Sequence, residues 1–178
     1  MRYVALLRAI NVGGNRIVKM ADLRQWMTDF GLHGISSYIQ SGNLVFDSSE
    51  TDAEALARRI ETHLEANAGF AIPTTLRSPA QLAELVAVLP QPTADEKLNI
   101  LFLGGPHAPQ AAERLQALQQ DGLQVLLRPR ELVLCQRRDL VDKRLNSPNW
   151  IEKQLETWGT GRNQNTVNKL LQLAAAAD

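Results

Sequence analysis

The chain has 178 residues, 44% hydrophobic and 21% charged, with 19 basic and 19 acidic side chains and a net charge of zero. That is enough for one medium domain or two small ones with a real core, and it excludes any general electrostatic pull toward nucleic acid, which would need a local basic patch. The one cysteine, Cys135, excludes an intrachain disulfide, and the five apolar residues after Met1-Arg2 make neither a secretion signal nor a membrane span, so a cytoplasmic protein with no membrane partner is expected.

Tyr3 to Leu7 is a short apolar run, expected as a buried strand, and Asn11-Val12-Gly13-Gly14-Asn15 breaks it. Met20, Leu23, Met27 and Phe30 recur at helical spacing, with Gly31 placed to stop the helix. Ile35 to Ile39 reads as a second strand, Ser41-Gly42-Asn43 as hairpin chemistry and Leu44 to Phe46 as the returning strand. Thr51-Asp52-Ala53-Glu54 has capping-box spacing with Thr51 at the N-cap, and Leu56, Ile60 and Leu64 line the following helix. Thr74 to Leu76 reads as a short strand, which completes the order β-α-β-β-α-β.

Ser78-Pro79 opens a connecting helix, and Pro90-Gln91-Pro92-Thr93 marks a boundary. Leu98 to Leu103 is then a strand, Ala112, Leu115 and Leu118 mark a helix, and Leu123–Leu127 with Glu131–Cys135 make a hairpin around Arg128-Pro129-Arg130. Ser147-Pro148 caps a helix with Gly159 past its end, and a last helix begins near Asn163. Strand, glycine break, helix, hairpin, helix therefore occurs twice. The expected fold class is α+β: two ferredoxin-like (β-α-β-β-α type) units in tandem, with antiparallel or mixed sheets and helices packed on them, the second unit replacing its last strand with a helix. The expected domains are 1–78, a connecting helix and linker at 79–94, and 95–178 with the C-terminal helices. The alternative is one continuous mixed sheet with helices on one face.

Topology gives two polar stretches a shared location. With a right-handed first crossover, strands one and two run parallel with strand three between them. The exit of strand one then lies beside the turn joining strands two and three, so Asn11–Asn15 and Gln40–Asn43 should adjoin. Gly13 and Gly14 let backbone N–H groups approach an anion, with Lys19 near a helix start. The spacing is neither a P-loop nor a dinucleotide fingerprint, and a plain strand-to-helix loop using glycine for positive φ accounts for the same residues. A tight turn likewise accounts for Gly42 and Asn43, but it does not demand Gln40 or Ser41. Arg8, at the end of an apolar strand, needs an acceptor from a protein carboxylate or a ligand.

The runs Leu6-Leu7-Arg8-Ala9-Ile10-Asn11-Val12-Gly13-Gly14, Val18-Lys19-Met20 and Tyr38 to Phe46, with Arg162-Asn163-Gln164-Asn165-Thr166-Val167-Asn168-Lys169-Leu170 near the C-terminus, resemble an uncharacterised bacterial family known as domain of unknown function 1697. The resemblance spans essentially the whole chain. It departs at Ala9, where the family more often has glycine, and at Gln164, where it more often has an aromatic. The resemblance implies an α+β fold of duplicated ferredoxin-like character and no assigned activity.

The expected ligand-binding residues are Arg8, Asn11, Gly13, Gly14, Asn15, Lys19, Gln40, Ser41 and Asn43, holding a small anion such as a nucleotide or phosphorylated metabolite. Arg162, Asn163, Asn165 and Lys169 are additional candidates, with Asn163 otherwise an N-cap. The alternatives are an RNA or single-strand-binding module, drawing on the basic cluster Arg137, Arg138, Lys143 and Arg144, or a structural assembly protein. No cofactor and no metal are expected: His33, His63 and His107 have no metal-ligand spacing, and Cys135 reads as core. Ser41 has no histidine tied to it, and no general base stands out, so no reaction is assigned. Trp26, Trp150 and Trp158 read as packing residues.

Overall fold

The first apolar run is β1 (Arg2–Leu7) in a computed structural model that describes residues 1–118, 120–145 and 147–176. Then come α1 (Met20–Asp29), β2 (His33–Tyr38), β3 (Asn43–Asp47), α2 (Ala53–Ala68) and β4 (Thr74–Arg77). The four strands form one antiparallel sheet in the order β2-β3-β1-β4. Tyr3, Ala5 and Leu7 share one face of β1 and pack with Leu23 and Met27 of α1 and Leu56, Ile60 and Leu64 of α2. These are the helical positions that recur every three or four residues, so burying that stripe drives the layer together. Arg2 and Asp47, opposite each other on β1 and β3, form a two-pronged ion pair at 3.1 and 2.9 Å. The helix α3 (Pro79–Ala87) contacts β1 and opens with a capping box: Ser78 Oγ accepts the Gln81 N–H at 3.2 Å, and Gln81 Oε1 accepts the Ser78 N–H at 2.8 Å.

The second half repeats the plan with β5 (Glu96–Leu103), α4 (Ala111–Leu115) running into a 3₁₀ turn (Gln116–Leu118), β6 (Leu123–Leu127), β7 (Glu131–Arg137), α5 (Pro148–Leu155) and β8 (Gly159–Asn163). Its antiparallel sheet has the order β6-β7-β5-β8, the same arrangement as the first. The repeat extends to single hydrogen bonds. Leu7 N donates to Gly42 O in the β2–β3 turn, and Leu103 N donates to Arg130 O in the β6–β7 turn, at 2.8 and 2.9 Å. Arg8 N reaches Pro73 O just before β4, and Gly104 N reaches Trp158 O just before β8. On the fourth strand of each sheet a buried arginine folds back along its own strand. Arg77 donates to Thr75 Oγ1 and Leu76 O, and Arg162 donates to Thr160 Oγ1 and Gly161 O, all at 2.7–2.8 Å.

Three expectations change. The second unit keeps its fourth strand: Gly159–Asn163 pairs with β5 and is not replaced by a helix. Two separate sheets exclude the single continuous sheet. The cap of α2 is Asp52 rather than Thr51, its carboxylate accepting the Glu54 and Ala55 N–H groups. The last helix, α6 (Gln164–Ala175), starts where expected, with Asn163 Oδ1 accepting the Thr166 N–H at 2.8 Å. Two compact units emerge: Met1–Ala87 with Val167 onward, and Val88–Thr166. So α3 and most of α6 group with the first sheet.

Candidate functional site

After Leu7 the chain rises from the sheet edge as a small hairpin. Asn11 N donates to Arg16 O at 3.1 Å, and Asn15 N to Val12 O at 3.2 Å, with Val12 and Asn15 bridged. Gly13 and Gly14 at its tip have φ of 60° and 76°, the signature of a type I′ turn. Space is open where a Cβ of either glycine would lie. The two glycines thus serve the turn itself, and the tip projects.

Asn11 joins this hairpin to the next turn. Its side-chain Nδ2 donates to Val18 O and Gln40 O, both at 2.9 Å, and its Oδ1 accepts the Val18 N–H at 2.8 Å. The two polar stretches therefore meet, as the topology requires. Asn43 is fully buried; its Nδ2 donates to Tyr38 O at 3.0 Å and Ser41 Oγ at 2.9 Å, which closes the four-residue turn from Ile39 to Gly42. Gly42, with φ of 76°, is needed for a second reason: an added Cβ would lie 2.7 Å from Leu7 Cβ and 2.9 Å from Ile10 Cδ1.

These contacts divide the candidate residues. Asn11 and Asn43 commit their amides to the protein, and Ser41 Oγ accepts from Asn43. Gly13, Gly14, Asn15, Lys19 and Gln40 are exposed, and Arg8 is half-buried. Lys19 occupies the N-cap position of α1, where no side chain caps the helix, so the first amides of α1 have no local side-chain acceptor. Arg162, Asn163 and Asn165 lie in the other compact unit. Lys169 is exposed on α6, whose end meets the Arg2 end of β1 through a bond from Arg2 Nη1 to Ala176 O, the end away from the hairpin.

The structure adds a backbone feature that sequence patterns did not reveal. Ala9, Asn11, Arg16 and Ile39 all have φ between 50° and 56°; elsewhere among the described non-glycine residues only Glu156 is left-handed. Ile39 is β-branched and half-exposed, an uncommon place for such a side chain. Val12 and Ile17 are also exposed, at 64% and 63%. Arg16 donates to Ala71 O at 2.8 Å and lies over the Phe70 ring. Its place inside the first motif was a usable signal; the backbone of Ile39 left none.

The other basic cluster is largely neutralised from within. Arg137 pairs with Asp121 and Asp139, and Arg144 with Asp142. Cys135 is buried, and burial pushes its thiol up from the ordinary value, which leaves it inert at neutral pH. Trp158 is a packing residue, its ring filling the space that a Cβ on Gly104 would occupy. Among the described residues no three His, Cys, Asp or Glu side chains converge as a metal site, and no helix is long and apolar enough to cross a membrane.

A family profile described as "Protein of unknown function (DUF1697)" matches residues 1–132. Among solved structures, the conserved bacterial protein SP0830 from Streptococcus pneumoniae superposes with a TM-score of 0.77 at 26% identity, covering 97% of this chain and 98% of that one. No curated protein matches.

Proposed function

This protein belongs to the DUF1697 family of proteins of unknown function, and from that premise we propose that it is a cytoplasmic protein of two ferredoxin-like units that binds a small anionic ligand, a nucleotide or phosphorylated metabolite, where the β1 hairpin meets the β2–β3 turn. One observation carries the reading. Four of the five described non-glycine residues in the left-handed region lie in these two adjoining segments. Each such residue costs on the order of 1–3 kcal/mol, a cost that concentrates at binding sites and switches. The Asn11 clasp holds that backbone in place with the protein's own groups.

Charge supplies the preference for anions. Arg8, Arg16 and Lys19 lie on this stretch, and no acidic residue occurs between Arg2 and Asp22. Lys19 stands at the uncapped start of α1, where backbone amides and the helix dipole favour an anion. Gln40 and Asn15 are the exposed amides left to read its polar groups.

A thermal-shift screen against nucleotides and sugar phosphates tests this. A ligand at a hundred times its Kd adds about 2.7 kcal/mol, roughly 5–10 °C for a chain of this size. Lys19→Ala and Gln40→Ala should each remove the shift and leave the unliganded midpoint nearly unchanged. A shift that survives both substitutions means the ligand sits elsewhere. The exposed Val12, Ile17 and Ile39 beside these cations favour a second reading, a single-stranded nucleic acid lying across the projecting hairpin. Binding of that kind would weaken steeply with salt, and a small-ligand site much less.

A further inference from the structure

The second sheet carries a cleft that the anion site does not involve. It has a volume of about 420 Å³ and is lined only by residues of the second unit, within the range of small-molecule sites. It exists because the helices over this sheet are short. The α4 and α5 helices have 5 and 8 residues, against 10 and 16 for α1 and α2 over the first sheet. Leu101, on the central strand β5, is left only partly covered.

The floor and walls of the cleft define a shape. Gly161 on β8 is the register partner of Leu101, and open space lies where its Cβ would be. The floor there is bare, flat peptide. Leu134 extends that floor, and Pro148 and Ile151 of α5 form the facing wall. A thin, planar, apolar body fits between a flat strand and a helix side.

Polar groups gather at one end. Asn99 and Asn163 are register partners on β5 and β8, so their side chains stand next to each other on the cleft face. Asn163 spends Oδ1 on the Thr166 N–H, which leaves its Nδ2 to donate; Asn99 is exposed and offers both donor and acceptor. Glu152 also lines the cleft, with Oε1 accepting the Gly159 N–H at 3.0 Å. The other charged lining residue, Arg162, alternates to the opposite face with Thr160, to which it is bonded. Its guanidinium is spent on Thr160 Oγ1 and Gly161 O, so the lining offers an anion no uncommitted cation.

We infer that this cleft binds a neutral, planar heteroaromatic ring of nucleobase type, stacked on the Gly161 peptide with its donor–acceptor edge read by Asn99 and Asn163. A side-chain amide pairs two-fold with such an edge, as asparagine does with adenine. Amide chemical shifts followed during titration with adenine test it. Saturable shifts at Leu101, Gly161 and Asn163 are expected at millimolar adenine. Asn99→Ala should weaken binding about tenfold, and Gly161→Val should abolish it by filling the floor. Absence of saturable shifts, or shifts unaffected by Asn99→Ala, overturns the inference. If Gly161→Val does not fold, the shift map and Asn99→Ala decide alone. A short oligoadenylate that binds where adenine does not would also overturn it, because phosphate would then be the recognised group. Shifts confined to Asn11–Lys19 and Ile39–Asn43 would defeat this site and leave the anion reading standing.

Discussion

Asn11 makes three hydrogen bonds from one side chain, two to Val18 within its own loop and one to Gln40 in a segment 29 residues away. Removing it strands the N–H and carbonyl of buried Val18, while the exposed Gln40 carbonyl turns to water, and an unsatisfied buried group costs about 1–3 kcal/mol. Asn11→Ala should therefore lower unfolding stability by about 2 kcal/mol in denaturant titrations. An unchanged midpoint would mean that the clasp does not hold the loop. The sequence marked Asn11 and Asn43 as ligand readers because polar residues in a glycine-rich loop look available. In the structure these amides bond to the protein itself, and a residue's partner across 29 positions is not a local property. For Gly13 and Gly14 the sequence allows either room for an anion or a loop needing positive φ, and the Asn11–Arg16 pairing shows that they form the tip of a turn.

Helices and apolar strands were legible because burial imposes a period on the chain. The α1, α2 and α6 helices lie where their apolar spacing puts them, and the meeting of the two polar stretches followed from strand order alone. The β8 strand escaped because Gly-Thr-Gly-Arg-Asn has no apolar alternation and three residues of poor strand propensity, Gly159, Gly161 and Asn163. Its strand character comes from pairing with β5 and from the Thr160–Arg162 bond, which repeats Thr75–Arg77 on β4. Between β7 and α5 a different element depends on charge. Arg144 reaches Asp142 Oδ2 at 2.6 Å and Oδ1 at 3.0 Å, and Gln120 donates to Oδ2 at 2.8 Å. The Arg144 guanidinium holds the Asp142 carboxyl well below the usual carboxylate range, against burial that acts to raise it. The folded value lies below the unfolded one of about 3.9, so this stabilisation is complete at neutral pH and is lost as pH falls below about 4. Asp142→Asn should lower the melting temperature at pH 7 and flatten the acid limb of the stability profile. A variant as acid-sensitive as the parent would show that the pair contributes nothing.

At the scale of the molecule, the first unit is discontinuous in sequence, Met1–Ala87 completed by the residues from Val167. Val167, Leu170 and Ala174 of α6 are almost fully buried, and Arg2 is bonded to Ala176 O. Ending the chain after Thr166 removes that burial, worth on the order of 5 kcal/mol. Faster hydrogen exchange at the Val4, Ala5 and Leu6 amides is the expected result. Undiminished protection would mean the helix is dispensable. Local sequence patterns do not reveal such a return, because an apolar helical stripe says that it is buried and not against what. The same discontinuity bears on birth of the protein. A ribosome delivers about 5–20 residues per second, so the β1–β4 sheet waits several seconds, with the entire second unit emerging in between, for the helix that finishes it. The part made first is the last to close, and through that interval it is the part most in need of a chaperone.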